Sequence, residues 1–122
     1  MSDANYNKIK HLVEVDDDIL AVFTVNSGSQ KRMENLSIAS DADITKDFVD
    51  YIFAGLQTYL RTAKEDTDNR VGKLEWTINE YERIRTLIIY ENDRFVIVLI
   101  KSNKSLSETA DNILGYYYES TT

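Results

Sequence analysis

The densest group of hard oxygen ligands in this 122-residue chain is Asp16-Asp17-Asp18, and clustered carboxylates are what Ca²⁺ or Mg²⁺ requires. Three consecutive side chains do not converge readily, so the run reads as a solvated acidic turn. Asp41-Ala42-Asp43-Ile44-Thr45-Lys46-Asp47 opens like a calcium loop, but it has Lys46 where that loop needs Gly and Ile52 where it needs Glu. A capped helix start explains it better. The single His, His11, has no Ser, Cys, Asp or second His placed by a motif to make it a base or a ligand. The chain has no Cys, which removes disulfides, zinc-thiolate sites and thiol nucleophiles. Gly28, Gly55, Gly72 and Gly115 are isolated, so no phosphate-cradling loop is present. Carboxylates such as Glu75 and Glu82 lack any constellation that would order them for catalysis. The residues therefore predict no catalytic group, metal or cofactor.

The elements that would position a binding surface are clearer. With 43% hydrophobic residues the chain can bury a core, and its length suits a single domain, 1–122. Its net charge of −7 offers no basic field for nucleic acid. Met1 to Lys10 lacks the apolar stretch of a secretory peptide, and no segment approaches the ~20 apolar residues of a membrane span. A cytoplasmic protein is expected, and the N-x-S matches at Asn35 and Asn103 are discounted as glycan sites.

Tyr6, Ile9, Leu12 and Val13 predict a short amphipathic helix that ends at the Asp run. Ile19 to Val25 is a continuous apolar strand, followed by a turn at Asn26-Ser27-Gly28-Ser29 in which Gly28 is free to take φ > 0. Lys31 to Ala39 is a weaker strand, its Lys31, Arg32, Glu34 and Asn35 suited to an edge. Phe48, Tyr51, Ile52, Leu56, Tyr59 and Leu60 form one helical stripe, with Ser40 and Asp41 as caps. Lys64 to Arg70 reads as a charged loop. Leu74, Trp76 and Ile78 alternate with polar residues as in a half-buried strand, and Glu80 to Arg83 turns the chain. Ile84 to Tyr90 and Arg94 to Ile100 make a hairpin through Glu91-Asn92-Asp93, whose Asn and Asp tolerate the left-handed conformation. Ser105 and Glu108 form a capping box for a last helix carrying Leu106, Ala110, Ile113, Leu114 and Tyr117, with Tyr117 inward and its Tyr neighbours outward. The expected fold is an α/β (α+β) sandwich: a five-stranded, mainly antiparallel sheet in the order α-β-β-α-β-β-β-α, with Ile19 to Val25 and Phe95 to Ile100 near its centre.

The long helix also carries a second apolar set, Val49, Phe53 and Leu60, beyond what one sheet face requires. Together with the Leu74, Trp76, Ile78 strand at a sheet edge, this surplus predicts homodimerisation.

This order of elements resembles the roadblock family, within the roadblock/longin and profilin-like group. The segment Gly72-Lys73-Leu74-Glu75-Trp76-Thr77-Ile78, the charged Tyr81-Glu82-Arg83 and the two apolar strands that follow are similar to the second half of small archaeal roadblock-like proteins. The resemblance implies a non-enzymatic dimerising scaffold or regulator of small GTPases, paired with itself or with another roadblock-like protein. Mapped by resemblance, the dimer interface is Val49, Phe53, Gln57 and Leu60 on the helix and Leu74 to Ile78 on the strand. The first turn departs from the family, with Ser27-Gly28 where many relatives carry Asp-Gly. The alternative is a small-molecule sensor of profilin-like or PAS-like type, which needs a pocket lined by residues such as Phe48, Tyr51 and Tyr59.

Overall fold

The computed structural model describes residues 8–65 and 72–119. Residues 8–11 are helical and run into a 3-10 turn, Leu12–Glu14. The strands are β1 (Ile19–Asn26), β2 (Met33–Ile38), β3 (Trp76–Glu80), β4 (Ile84–Tyr90) and β5 (Arg94–Lys101), and the helices are α1 (Lys46–Glu65) and α2 (Leu106–Glu119). One sheet contains all five strands in the order β2-β1-β5-β4-β3, every neighbouring pair antiparallel. The two most apolar segments, β1 and β5, lie side by side in its interior as their composition requires. Lys64 and Glu65 of the charged run belong to α1 and not to a loop, while Tyr6 and residues 66–70 lie outside the described residues.

Several boundaries differ from the sequence expectation, each for a local reason. β3 begins at Trp76, leaving Leu74 ahead of it, and continues through Glu80, which pairs with Arg85 instead of turning the chain. Thr45 caps α1, because its Oγ1 accepts the Phe48 amide at 3.2 Å, while Ser40 and Asp41 lie too early. Ser105 caps α2 as expected, accepting the Glu108 amide at 3.1 Å. Neither hairpin uses the left-handed backbone expected of Gly28, Asn92 or Asp93. Among the described residues only Asn35 (φ 55°) and Gly72 (φ 88°) adopt it. The β1–β2 loop is organised by Asn26 instead, whose Nδ2 donates to the Gln30 carbonyl at 2.8 Å.

Both faces of the sheet are covered. On one, Val49, Leu56 and Leu60 of α1 pack with half-buried Ile52 and Phe53 onto Phe23, Val25, Ile88, Phe95, Ile97 and Leu99. On the other, Ile9 and Leu12 join Ile113 and Tyr117 of α2 over Val22, Leu87, Ile89, Val96 and Val98. Tyr117 is thus inward and Tyr118 exposed, whereas Tyr116, expected outward, is half-buried against the same core. Each fully buried Leu, Ile or Phe contributes roughly 1.5–3 kcal/mol of transfer free energy, which is why the continuous apolar strands take the middle positions.

The acidic run departs furthest from expectation. Asp17 is exposed, but Asp16 and Asp18 are buried. Lys104 Nζ donates to Asp16 Oδ1 and to Asp18 Oδ2, each at 2.9 Å. Asn112 Nδ2 donates to Asp16 Oδ2 at 2.8 Å, and the Asp18 amide to Asp16 Oδ1 at 2.9 Å. Burial pushes the Asp16 carboxyl up, and these donors outweigh it, holding the group below the usual carboxylate range. The carboxylates in turn raise Lys104 above the ordinary lysine value. The run is a clasp joining the N-terminal segment to α2, not a solvated turn.

Candidate functional site

An α-helix advances about 100° per residue, so α1 presents two apolar stripes roughly a third of a turn apart. Val49, Phe53, Leu56 and Leu60 face the sheet. Phe48, Gly55 and Tyr59 look sideways and Tyr51 points away from the sheet, with Tyr51 75% and Tyr59 52% exposed. Beside this second stripe, the β3–β4 turn raises Tyr81, Glu82 and Arg83, closed by the Tyr81 amide donating to the Ile84 carbonyl at 2.8 Å. Between helix and turn lies an apolar groove of about 800 Å³, walled by Phe48, Tyr51, Ile52, Ala54, Gly55 and Leu56 on one side and Tyr81 to Ile84 on the other. A Cβ at Gly55 would meet nothing within 4 Å, so packing inside the chain does not require the glycine there.

The groove adjoins β3, an outermost strand of the sheet. β3 pairs with β4 in unbroken one-to-one register from Trp76↔Ile89 to Glu80↔Arg85, and no described strand lies on its other side. Ile78 packs on the α2 face, and Trp76 shares that side by alternation. Thr77 points to the α1 face, its hydroxyl 3.2 Å from the Tyr90 hydroxyl. Trp76 and Leu74 remain about two-fifths exposed, at 39% and 40%.

The residues expected at a dimer interface are therefore divided. Val49 and Leu60 have no exposed surface, having been spent on the chain's own core. Phe53 packs edge-on against Phe23, ring centroids 6.0 Å apart at 80°. Gln57 falls about half a turn round the helix from Phe48, on the flank away from the groove. Ile78 is half-buried under α2, and Leu74 and Trp76 lie at the open edge. Of the pocket residues expected for a sensor, Phe48 and Tyr51 line the groove and Tyr59 does not. Tyr81 and Gly55 were not foreseen as groove residues, although Tyr81, shortly before an apolar strand, was a visible sign of an aromatic turn. Among the described residues no group of three or more His, Cys, Asp and Glu could hold a metal ion, and no helix is long and apolar enough to cross a membrane.

No protein-family model matches the sequence, and no curated protein matches it. Solved structures do match in shape. MglC from Myxococcus xanthus is 13% identical, with 93% of this chain and 92% of that one covered at a TM-score of 0.62. The gliding protein MglB from Thermus thermophilus is 10% identical over 99% and 88% of the two chains, also at 0.62. A Roadblock/LC7 domain from Streptomyces avermitilis is 12% identical over 93% and 92%, at 0.58. A further similar structure is an MglB with a tetrameric arrangement, 7% identical at 0.63, covering 98% of this chain and 86% of that one. Identities this low carry the architecture alone, and on the strand order, the two covered faces and these neighbours the chain has the roadblock fold.

Proposed function

We propose that this chain is a non-catalytic module that associates with a second copy of itself and acts in the cytoplasm as a scaffold or regulator, with a small GTPase as its partner class. The observation that carries the reading is the continuity of two unfinished surfaces, the apolar groove beside α1 and the unpaired β3 edge. An exposed, regular edge strand satisfies its free backbone groups by pairing with another strand, and an aromatic groove beside it gains by excluding water. In a two-fold arrangement β3 pairs with β3, and the stripe Phe48, Tyr51, Gly55 and Tyr59 of each α1 enters the other's groove. Gly55 allows close approach. The tetrameric MglB supports self-association among proteins of this shape. The GTPase partner rests on likeness to the roadblock family.

The sensor reading is weaker because the groove does not enclose. Ligand pockets bury most of their ligand, whereas Tyr51 on the groove wall stands 75% exposed. Light scattering on the purified protein decides: the wild type is expected at twice the chain mass, and Tyr51→Glu at the mass of one chain with unchanged circular dichroism. A wild type at the mass of one chain ends this reading. Binding of immobilised protein to small GTPases loaded with GDP or a GTP analogue then tests the partner class.

A further inference from the structure

The sheet has two edges, and they are built differently. At the outer strand β2, Val22 opposes Ser37 while Thr24 opposes Glu34, so two β2 residues stand against one on β1. This is a β-bulge, and Asn35 within it takes φ 55°, which is uncommon for a residue with a side chain. Asn35 Nδ2 donates to Thr24 Oγ1 at 3.1 Å, and that hydroxyl donates to the Glu34 carbonyl at 3.2 Å. The irregular stretch is thus bonded inward to its own sheet. The extra residue also reconciles an odd spacing. Met33, Leu36 and Ile38 pack into one core although two residues separate the first pair and one the second.

We infer that Asn35 is an edge-blocking residue: its bulge closes β2 to strand pairing, so that assembly through β3 ends at two copies and does not run on as an open sheet. The inference rests on the proposed pairing through β3. An isologous β3–β3 contact consumes both edges of that kind and leaves a β2 at each end of the joined sheet. A regular β2 would there accept the β2 of another pair. The bulge bends the strand out of line, and exposed Glu34 adds charge to the same edge.

Removing Asn35 tests this without disturbing the core pattern. It leaves Met33-Glu34-Leu36-Ser37-Ile38, a strict alternation that places one residue opposite each of Val25, Thr24, Phe23, Val22 and Ala21. By light scattering across a concentration series, the wild type is expected at twice the chain mass and the deletion at four times or more, rising with concentration. Asn35→Gly keeps the left-handed conformation and is expected to stay at the wild-type mass. A folded deletion variant at the wild-type mass overturns the inference and leaves the β3 reading intact. If instead the wild type is a single chain, the β3 reading falls, and a deletion variant at twice that mass still supports a blocked β2. Should the deletion not fold, Asn35→Val supplies the readout, since a β-branched side chain disfavours φ 55°. A folded Asn35→Val at the wild-type mass overturns the inference equally.

Discussion

The two helical faces cover the same sheet by different means. On the face under α2, polar groups complete the packing: Lys104 spans Asp16 and Asp18, and buried Arg85 donates to Thr109 Oγ1 at 2.8 Å, to the Lys104 carbonyl at 2.7 Å and to Glu80. On the α1 face, the helix is seated by apolar contacts and keeps Tyr51 and Tyr59 in solvent. A buried ionic network adds little net stability over an apolar substitute, but removing one member leaves the others unpaired. The α2 face is therefore costly to disturb from within. The α1 face tolerates change at its outer stripe, the surface that the proposed pairing uses.

The sharpest test of that difference is Asp16→Ala. It strands Asn112 and the Asp18 amide, leaves Lys104 with Asp18 alone, and is expected to cost about 3 kcal/mol in urea unfolding while leaving the solution mass of the folded protein unchanged. Titration gives the same contrast. Because Asp16 titrates below its ordinary 3.8 in the folded chain, its contribution is complete above that value and is lost as pH falls through the folded pKa. Asp16→Asn should flatten this acid limb of the stability curve. Lys104 acts in the opposite direction, its contribution complete below the ordinary 10.5 and lost only as pH rises past its raised folded value. An acid limb unaltered in Asp16→Asn would mean that the clasp contributes nothing.

Phe53→Ala is expected to cost about 2 kcal/mol, less than a fully buried Phe because the ring is only half-buried, with part of the loss from its edge-on contact with Phe23. Phe53 thereby separates the core stripe of this helix from the stripe that the proposed pairing uses. If Phe53→Ala lowered the mass without lowering stability, the division of α1 into an inner and an outer stripe would be wrong.

That division marks where sequence reasoning reached its limit. The order of elements, the central strands, the α2 cap and the inward Tyr117 were legible, because each depends on local period or capping chemistry. The role of each α1 stripe was not. Both are apolar at helical spacing, and Tyr51 and Tyr59 count as hydrophobic although a phenol is at ease in water. The sheet selected Val49, Phe53 and Leu60, the set that looked surplus. The clasp was hidden for another reason: Lys104 lies 88 residues from Asp16 and 86 from Asp18, so nothing local announced it. Asn35 looked like dilution of a strand, since a bulge is visible only once the partner's register is known.

The smallest expected effect has the opposite sign. Thr86 points to the α1 face between Ile84 and Ile88, is fully buried, and its Oγ1 is the one buried side-chain oxygen or nitrogen among the described residues without a hydrogen-bond partner. An unpaired hydroxyl forfeits its hydration and receives nothing in return. Thr86→Val keeps the β-branched shape and should raise stability by up to about 1 kcal/mol, seen as a higher urea midpoint at unchanged slope. The equivalent change under α2, Thr109→Val, removes an acceptor from Arg85 and should lower the midpoint. If the two valines shifted stability in the same direction, polar completion would not be what distinguishes the faces. Opposite shifts would locate the specificity of this fold under α2 and leave the α1 face as the side with slack for association.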